Sequence, residues 1–110
     1  MKTSVVVFLV FLFLFVTAAF AADQQGEEIF KSNGCIFCHK QKTTSGTIPS
    51  LPELSKAYKG EKEQLIRYFK GEAQPIIKPE RAVTMKRQIE KTKAMSDAER
   101  TNLADFILSH

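Results

Sequence analysis

The stretch Cys35 Ile36 Phe37 Cys38 His39 decides how the rest of this 110-residue chain is read. Two thiols three positions apart, followed directly by an imidazole, have the spacing used for covalent attachment of c-type haem. Each residue type has a chemical task there. The two sulfurs add to the two vinyl groups of the porphyrin as thioethers, and the adjacent His39 then lies under the iron as its proximal ligand. Two intervening residues let one turn of backbone present both sulfurs to a single porphyrin edge.

Three other uses of the same residues fit less well. A dithiol redox site also uses a CxxC pair, but it expects a βαβ pattern around it, and the flanking sequence shows no strand alternation. A structural zinc site needs four ligands, and the only histidine beyond His39 is the terminal His110. A disulfide between cysteines this close shuts too small a loop to restrict the unfolded chain much.

Upstream of the motif, Lys2, an apolar run from Val5 to Val16, and Thr17 Ala18 Ala19 Phe20 Ala21 have the three regions of an export signal. The expected cut follows Ala21. The alternative, a retained membrane anchor, has an apolar core shorter than the roughly 20 residues needed to span a bilayer. Removing residues 1–21 leaves one domain, 22–110, of 89 residues. At that size a single apolar core gives only marginal stability, and a buried porphyrin supplies the shortfall. The haem-free chain is therefore expected to fold poorly.

Of the 16 basic residues, 15 remain after Lys2 is cut, against 12 acidic ones, a formal charge of +3 before the haem is counted. The lysines are interspersed with acids. That distribution suits a solvated surface, and equally a docking ring for acidic partners. No dense Lys/Arg run interleaved with aromatics speaks for nucleic acid.

Residues 24–32 read as a helix, with Ile29 and Phe30 apolar, acids early, Lys31 late, and Asn33 Gly34 as its stop. Gly26 and Phe30 share a face, where the glycine permits close approach of another helix. Lys40 to Pro52 reads as loop, and a carbonyl near Pro49 can accept the second ring proton of His39. A short helical turn is expected over Glu53–Tyr58, then a helix over Glu61–Lys70 burying Leu65, Ile66 and Phe69. Tyr58 and Tyr68 are candidate hydrogen-bond partners for a haem propionate. Gly71 to Met95, broken by Pro75 and Pro79, reads as largely irregular, with a short helix after Pro79. Ser96 with Glu99 forms a capping box, opening a last helix that runs to about Ser109 and buries Leu103, Phe106, Ile107 and His110.

Taken together, Gly26 with Ile29 and Phe30, Gly34 with the CIFCH motif, Ile48 Pro49 Ser50 Leu51, and Ser96 to Ile107 resemble a class I c-type cytochrome of the small bacterial monohaem kind. The resemblance implies an all-α fold in which the N- and C-terminal helices cross, Gly26 and Phe30 against Leu103 and Phe106, and the helices wrap one covalently bound haem c. It also implies a carbonyl near Pro49 orienting His39, and a methionine before the last helix as the second iron ligand. In such proteins the haem is attached after export, so the expected location is the periplasm.

Two methionines qualify. Met95 abuts the helix cap and has a packing task there. Met85, with slack expected on both sides, is the preferred ligand, although Lys86 follows it where the family often has proline. His110 is the third option. The expected cofactor-binding set is thus Cys35, Cys38, His39 and Met85, with His39 and Met85 on the metal and no catalytic residue. The implied function is a non-enzymatic, monomeric shuttle of single electrons between a donor and an acceptor protein, with no membrane span once the signal is cut. Two alternatives stand beside it: a gas- or peroxide-binding haem protein with a labile distal ligand, and a tethered cytochrome subunit of a larger oxidoreductase.

Overall fold

In the computed structural model, which describes residues 24–42 and 46–110, the described residues form six α-helices and one 3-10 turn, without a strand. The 1–21 stretch read as an export signal lies outside the described residues, as do residues 43–45 of the Lys40–Pro52 loop. The helices are α1 (24–32), α2 (Cys35–Cys38), α3 (Leu51–Ala57), α4 (Lys62–Phe69), α5 (Ala82–Lys93) and α6 (Asp97–Leu108). The 3-10 turn, Pro79–Arg81, leads directly into α5.

The two ends of the domain meet where glycine allows it. A β-carbon added to Gly26 of α1 would stand 2.2 Å from the Asn102 carbonyl oxygen and 2.7 Å from Phe106 Cβ, both on α6. Without that β-carbon the two helix backbones come into direct contact. One turn further along α1, Phe30 stacks on Phe106 with ring centroids 5.3 Å apart and planes tilted by 54°. Such pairs contribute about 0.5–1.5 kcal/mol beyond the area they bury. Leu103, Ala104 and Ile107 continue the buried face of α6, and α3 and α4 pack against it to complete the core with Leu51, Tyr58, Leu65 and Phe69. The crossing implied by the resemblance is therefore present.

Capping sets where the helices begin. Ser96 Oγ accepts the Glu99 N–H at 3.1 Å, and the Glu99 carboxylate accepts the Ser96 N–H at 2.9 Å, as the sequence predicted. Ser50 and Glu53 repeat the device at α3, so that helix starts at Leu51 rather than at Glu53. Pro52 is accommodated because it falls in the first turn, where no intrahelical N–H bond is required.

Two expectations need correction. Residues 71–95 hold a 12-residue helix, α5, where the sequence suggested a largely irregular chain with only a short helix after Pro79: the helix is there, but longer than expected. Its inward stripe is Met85, Gln88, Ile89 and Thr92, and the two polar members hide the helical period. Thr92 is satisfied inside by donating its hydroxyl proton to the Phe69 carbonyl at 2.7 Å. The second correction concerns His110, which is exposed rather than buried: its Nδ1–H donates to the Phe106 carbonyl at 2.9 Å, and its ring meets the Phe106 ring edge-on.

Among the described residues, Arg100 is the one buried side chain of the Asp, Glu, Lys and Arg types. Its Nη1 donates to the carbonyls of Thr92, Lys93 and Met95, and Nη2 pairs with Asp97 at 2.6 Å. The guanidinium thus caps the C-terminal end of α5, where the helix dipole favours a cation.

Candidate functional site

The site begins with a change of backbone direction at Gly34. Asn33 closes α1 by donating its side-chain N–H to the Ile29 carbonyl at 2.8 Å, and Gly34 then takes a left-handed conformation with φ 77°. That residue is also the cap of α2, so Cys35 to Cys38 form a single helical turn, as the two-residue spacing requires. Both thiols are free, Cys35 half-buried and Cys38 exposed. Burial pushes the Cys35 thiol above its usual pKa, against a smaller opposing pull from the Lys91 charge.

His39 ends the turn and is buried, 8 % exposed. Its Nδ1 lies 2.8 Å from the Pro49 carbonyl oxygen. A carbonyl only accepts, so the proton sits on Nδ1 and the lone pair on Nε2 is left for a metal. The loop is pinned at this place by Leu51 N–H to Lys40 O at 2.9 Å and by the Ser50 cap. The carbonyl near Pro49 expected from the sequence is thus the one His39 uses.

Cys35 and His39 open onto a cleft that also touches the core through Phe30, Leu65, Leu103 and Ile107. Cofactor pockets are mostly apolar, as this one is. Met85 stands on the same cleft, on α5, whereas neither Met95 nor His110 lines it. Met85 was expected in a mobile loop; instead it is half-buried in the first turn of α5, fixed by the helix rather than free to swing. Met95 packs against the core just before the Ser96 cap.

Tyr58 and Tyr68 both line the cleft. The buried Tyr58 hydroxyl accepts the Ile76 N–H at 3.2 Å, tying down the segment that leads towards α5. Burial, with a lesser contribution from Tyr58, raises Tyr68 to about 12. The sequence reading missed three residues on this wall: Lys78, Arg81 and Gln88. Lys78 carried a signal in standing just before Pro79, and the other two carried none.

The sequence matches the cytochrome c family over residues 24–110. The chain belongs to the cytochrome c family. A comparison with curated proteins gives no match. The residues fit the family's haem c: an apolar cleft reached by Cys35 and His39, two free thiols on one helical turn, and an imidazole whose free nitrogen is set by Pro49. Haem c, covalently attached, supplies an iron that takes up and gives back one electron, and the cytochrome is a haem-based electron carrier. Among the described residues no helix is long and apolar enough to cross a membrane.

Proposed function

We propose that this cytochrome carries single electrons between a donor and an acceptor protein in the periplasm, with His39 and Met85 as the two iron ligands and Cys35 and Cys38 holding the thioethers. The observation that supports Met85 most directly is its position on the cleft wall shared with Cys35 and His39, a wall on which Met95 and His110 have no part. A thioether ligand favours ferrous iron and raises the potential relative to a second histidine. With His39 and Met85 both holding the iron, no open site would remain for substrate, which would separate a carrier from an enzyme. His39 is held by a 2.8 Å hydrogen bond to backbone and Met85 by a helix, so neither ligand has to move between redox states.

The test is optical. Ferric protein with a methionine ligand shows a sulfur-to-iron charge-transfer band; Met85→Ala should abolish it and Met95→Ala should leave it. The reverse result overturns the ligand assignment. Rapid stoichiometric binding of carbon monoxide by the reduced wild-type protein would favour the gas-binding alternative. Intact mass of exported protein, with one haem added and residues 1–21 gone, checks export and separates the free carrier from the tethered subunit.

A further inference from the structure

The cleft wall carries three cations, Lys78, Arg81 and Lys91, and no carboxylate. Haem brings two carboxylates of its own, on its propionate arms, at the porphyrin edge away from the vinyl groups that join Cys35 and Cys38. Carboxylates at the mouth of an apolar cleft are costly unless paired. Lys91 belongs to the thioether edge: it donates to the Asn33 carbonyl at 3.4 Å, two residues before Cys35. Lys78 points elsewhere, to the Gly46 carbonyl on the loop after the haem-binding turn, and Arg81 lies three residues beyond it in the 3-10 turn.

Lys78 is held in an unusual way. With φ 47° and ψ 55° it is the one non-glycine residue at positive φ among the described residues. It also precedes Pro79, which adds its own restriction. Glycine or asparagine would adopt this conformation at less strain, so the side chain is what the position keeps. The backbone turn carries the Lys78 ammonium to the Gly46 carbonyl, on the loop that also presents Pro49 to His39. Strain retained at a cation on the cofactor wall points to a binding role.

We propose that Lys78 and Arg81 form a cationic clasp for the two propionate carboxylates of the haem. The ammonium has three protons, of which Gly46 takes one, and the Arg81 guanidinium offers a planar fork suited to a carboxylate. The clasp closes the distal wall, which carries Met85, onto the Gly46–Pro49 loop. It rests on the haem and not on which methionine binds the iron, so a Met95 ligand would leave it standing.

The test uses holoprotein with Lys78→Gly, which removes the cation and relieves the backbone, so misfolding does not confuse the result. Losing a positive charge beside the porphyrin favours the ferric state. The ferric-to-ferrous ratio at fixed potential should rise by about tenfold, equivalent to about 59 mV for one electron. The propionate bending band in the resonance Raman spectrum should shift as well. Arg81→Gln should act in the same direction, Lys78→Arg should restore both readouts, and Lys56→Ala on the exposed face of α3 should change neither. If Lys78→Gly leaves either readout at its wild-type value, or if Lys56→Ala matches it, the clasp is refuted.

Discussion

Replacing Gly26 by alanine asks how closely the two terminal helices must approach. The added β-carbon meets two neighbours at once, the Asn102 carbonyl oxygen at 2.2 Å and Phe106 Cβ at 2.7 Å. Neither is the far end of a flexible side chain, so α1 and α6 have to part by about 1 Å to restore ordinary contact, and a gap of that size forfeits up to about half of each dispersion contact it opens. The Phe30–Phe106 pair, one turn away, lies in the same seam. Overpacking of this kind costs about 1–3 kcal/mol, and contact with backbone argues for the upper end. Against this, alanine is the better helix former by about 1 kcal/mol. The two effects oppose each other and the clash wins, for a net loss of about 2 kcal/mol, or about 10 °C in Tm for a domain of this size. Urea unfolding of holoprotein, followed by far-ultraviolet circular dichroism, measures it. An alanine variant as stable as the parent, or more stable, would show that helix propensity outweighs the clash and that the close crossing is not as drawn.

Arg100→Leu removes the guanidinium that caps α5, and the loss of charge-assisted bonds to three carbonyls should cost about 2–3 kcal/mol, read as a lower urea midpoint. The Cys35→Ala, Cys38→Ala pair, made without haem, should lose most helical dichroism, because the apolar cleft between α5 and the core then has no porphyrin to cover it; near-native helicity would contradict the dependence on porphyrin. Tyr68 holds its proton more tightly in the folded state, up to about 12 against an ordinary 10.0, so its stabilising contribution is complete below pH 10 and is lost as pH rises towards 12. Tyr68→Phe should therefore flatten the decline in urea midpoint over that interval, and an unchanged slope would remove Tyr68 as its source.

The proximal half of the site was legible because each of its signals is local. A CxxCH turn, the glycine before it, and a proline whose neighbourhood offers a carbonyl all act within a few residues, and the structure joins them through the His39–Pro49 bond. The terminal crossing was readable for a related reason, since Gly26 and Phe30 mark a face and Ser96 with Glu99 marks a start. The distal half was not. Two of four inward positions on α5 are polar, Gln88 and Thr92; Thr92 bonds Phe69 elsewhere in the chain, and the end of the helix is capped by Arg100 from α6. Periodicity counts apolar residues and cannot register a buried hydroxyl whose acceptor is 23 positions away. The left-handed Lys78 was hidden too, because the side chain that justifies the strain reaches Gly46, 32 positions back.

Those long-range polar bonds explain how Met85, the proposed iron ligand, can be firmly fixed although it stands on a helix away from the cysteine turn. Helix α5 is 12 residues, about 18 Å, long, and Met85 stands in its first turn. A rod of that length transmits any looseness at its far end to its near end. The far end is where Thr92 is bonded to Phe69 and where Arg100 grips the last carbonyls, while the near end is anchored by the Lys78–Gly46 bond just ahead of the 3-10 turn. A buried cation is a costly way to stop a helix, and an apolar residue would fill the space at least as well. What an apolar residue cannot do is satisfy three carbonyls from α6, the same helix that α1 locks in place through Gly26. The wall that carries Met85 is thereby referred to the close crossing of α1 and α6 at Gly26, the condition under which the methionine proposed as an iron ligand would keep one position through repeated electron transfer.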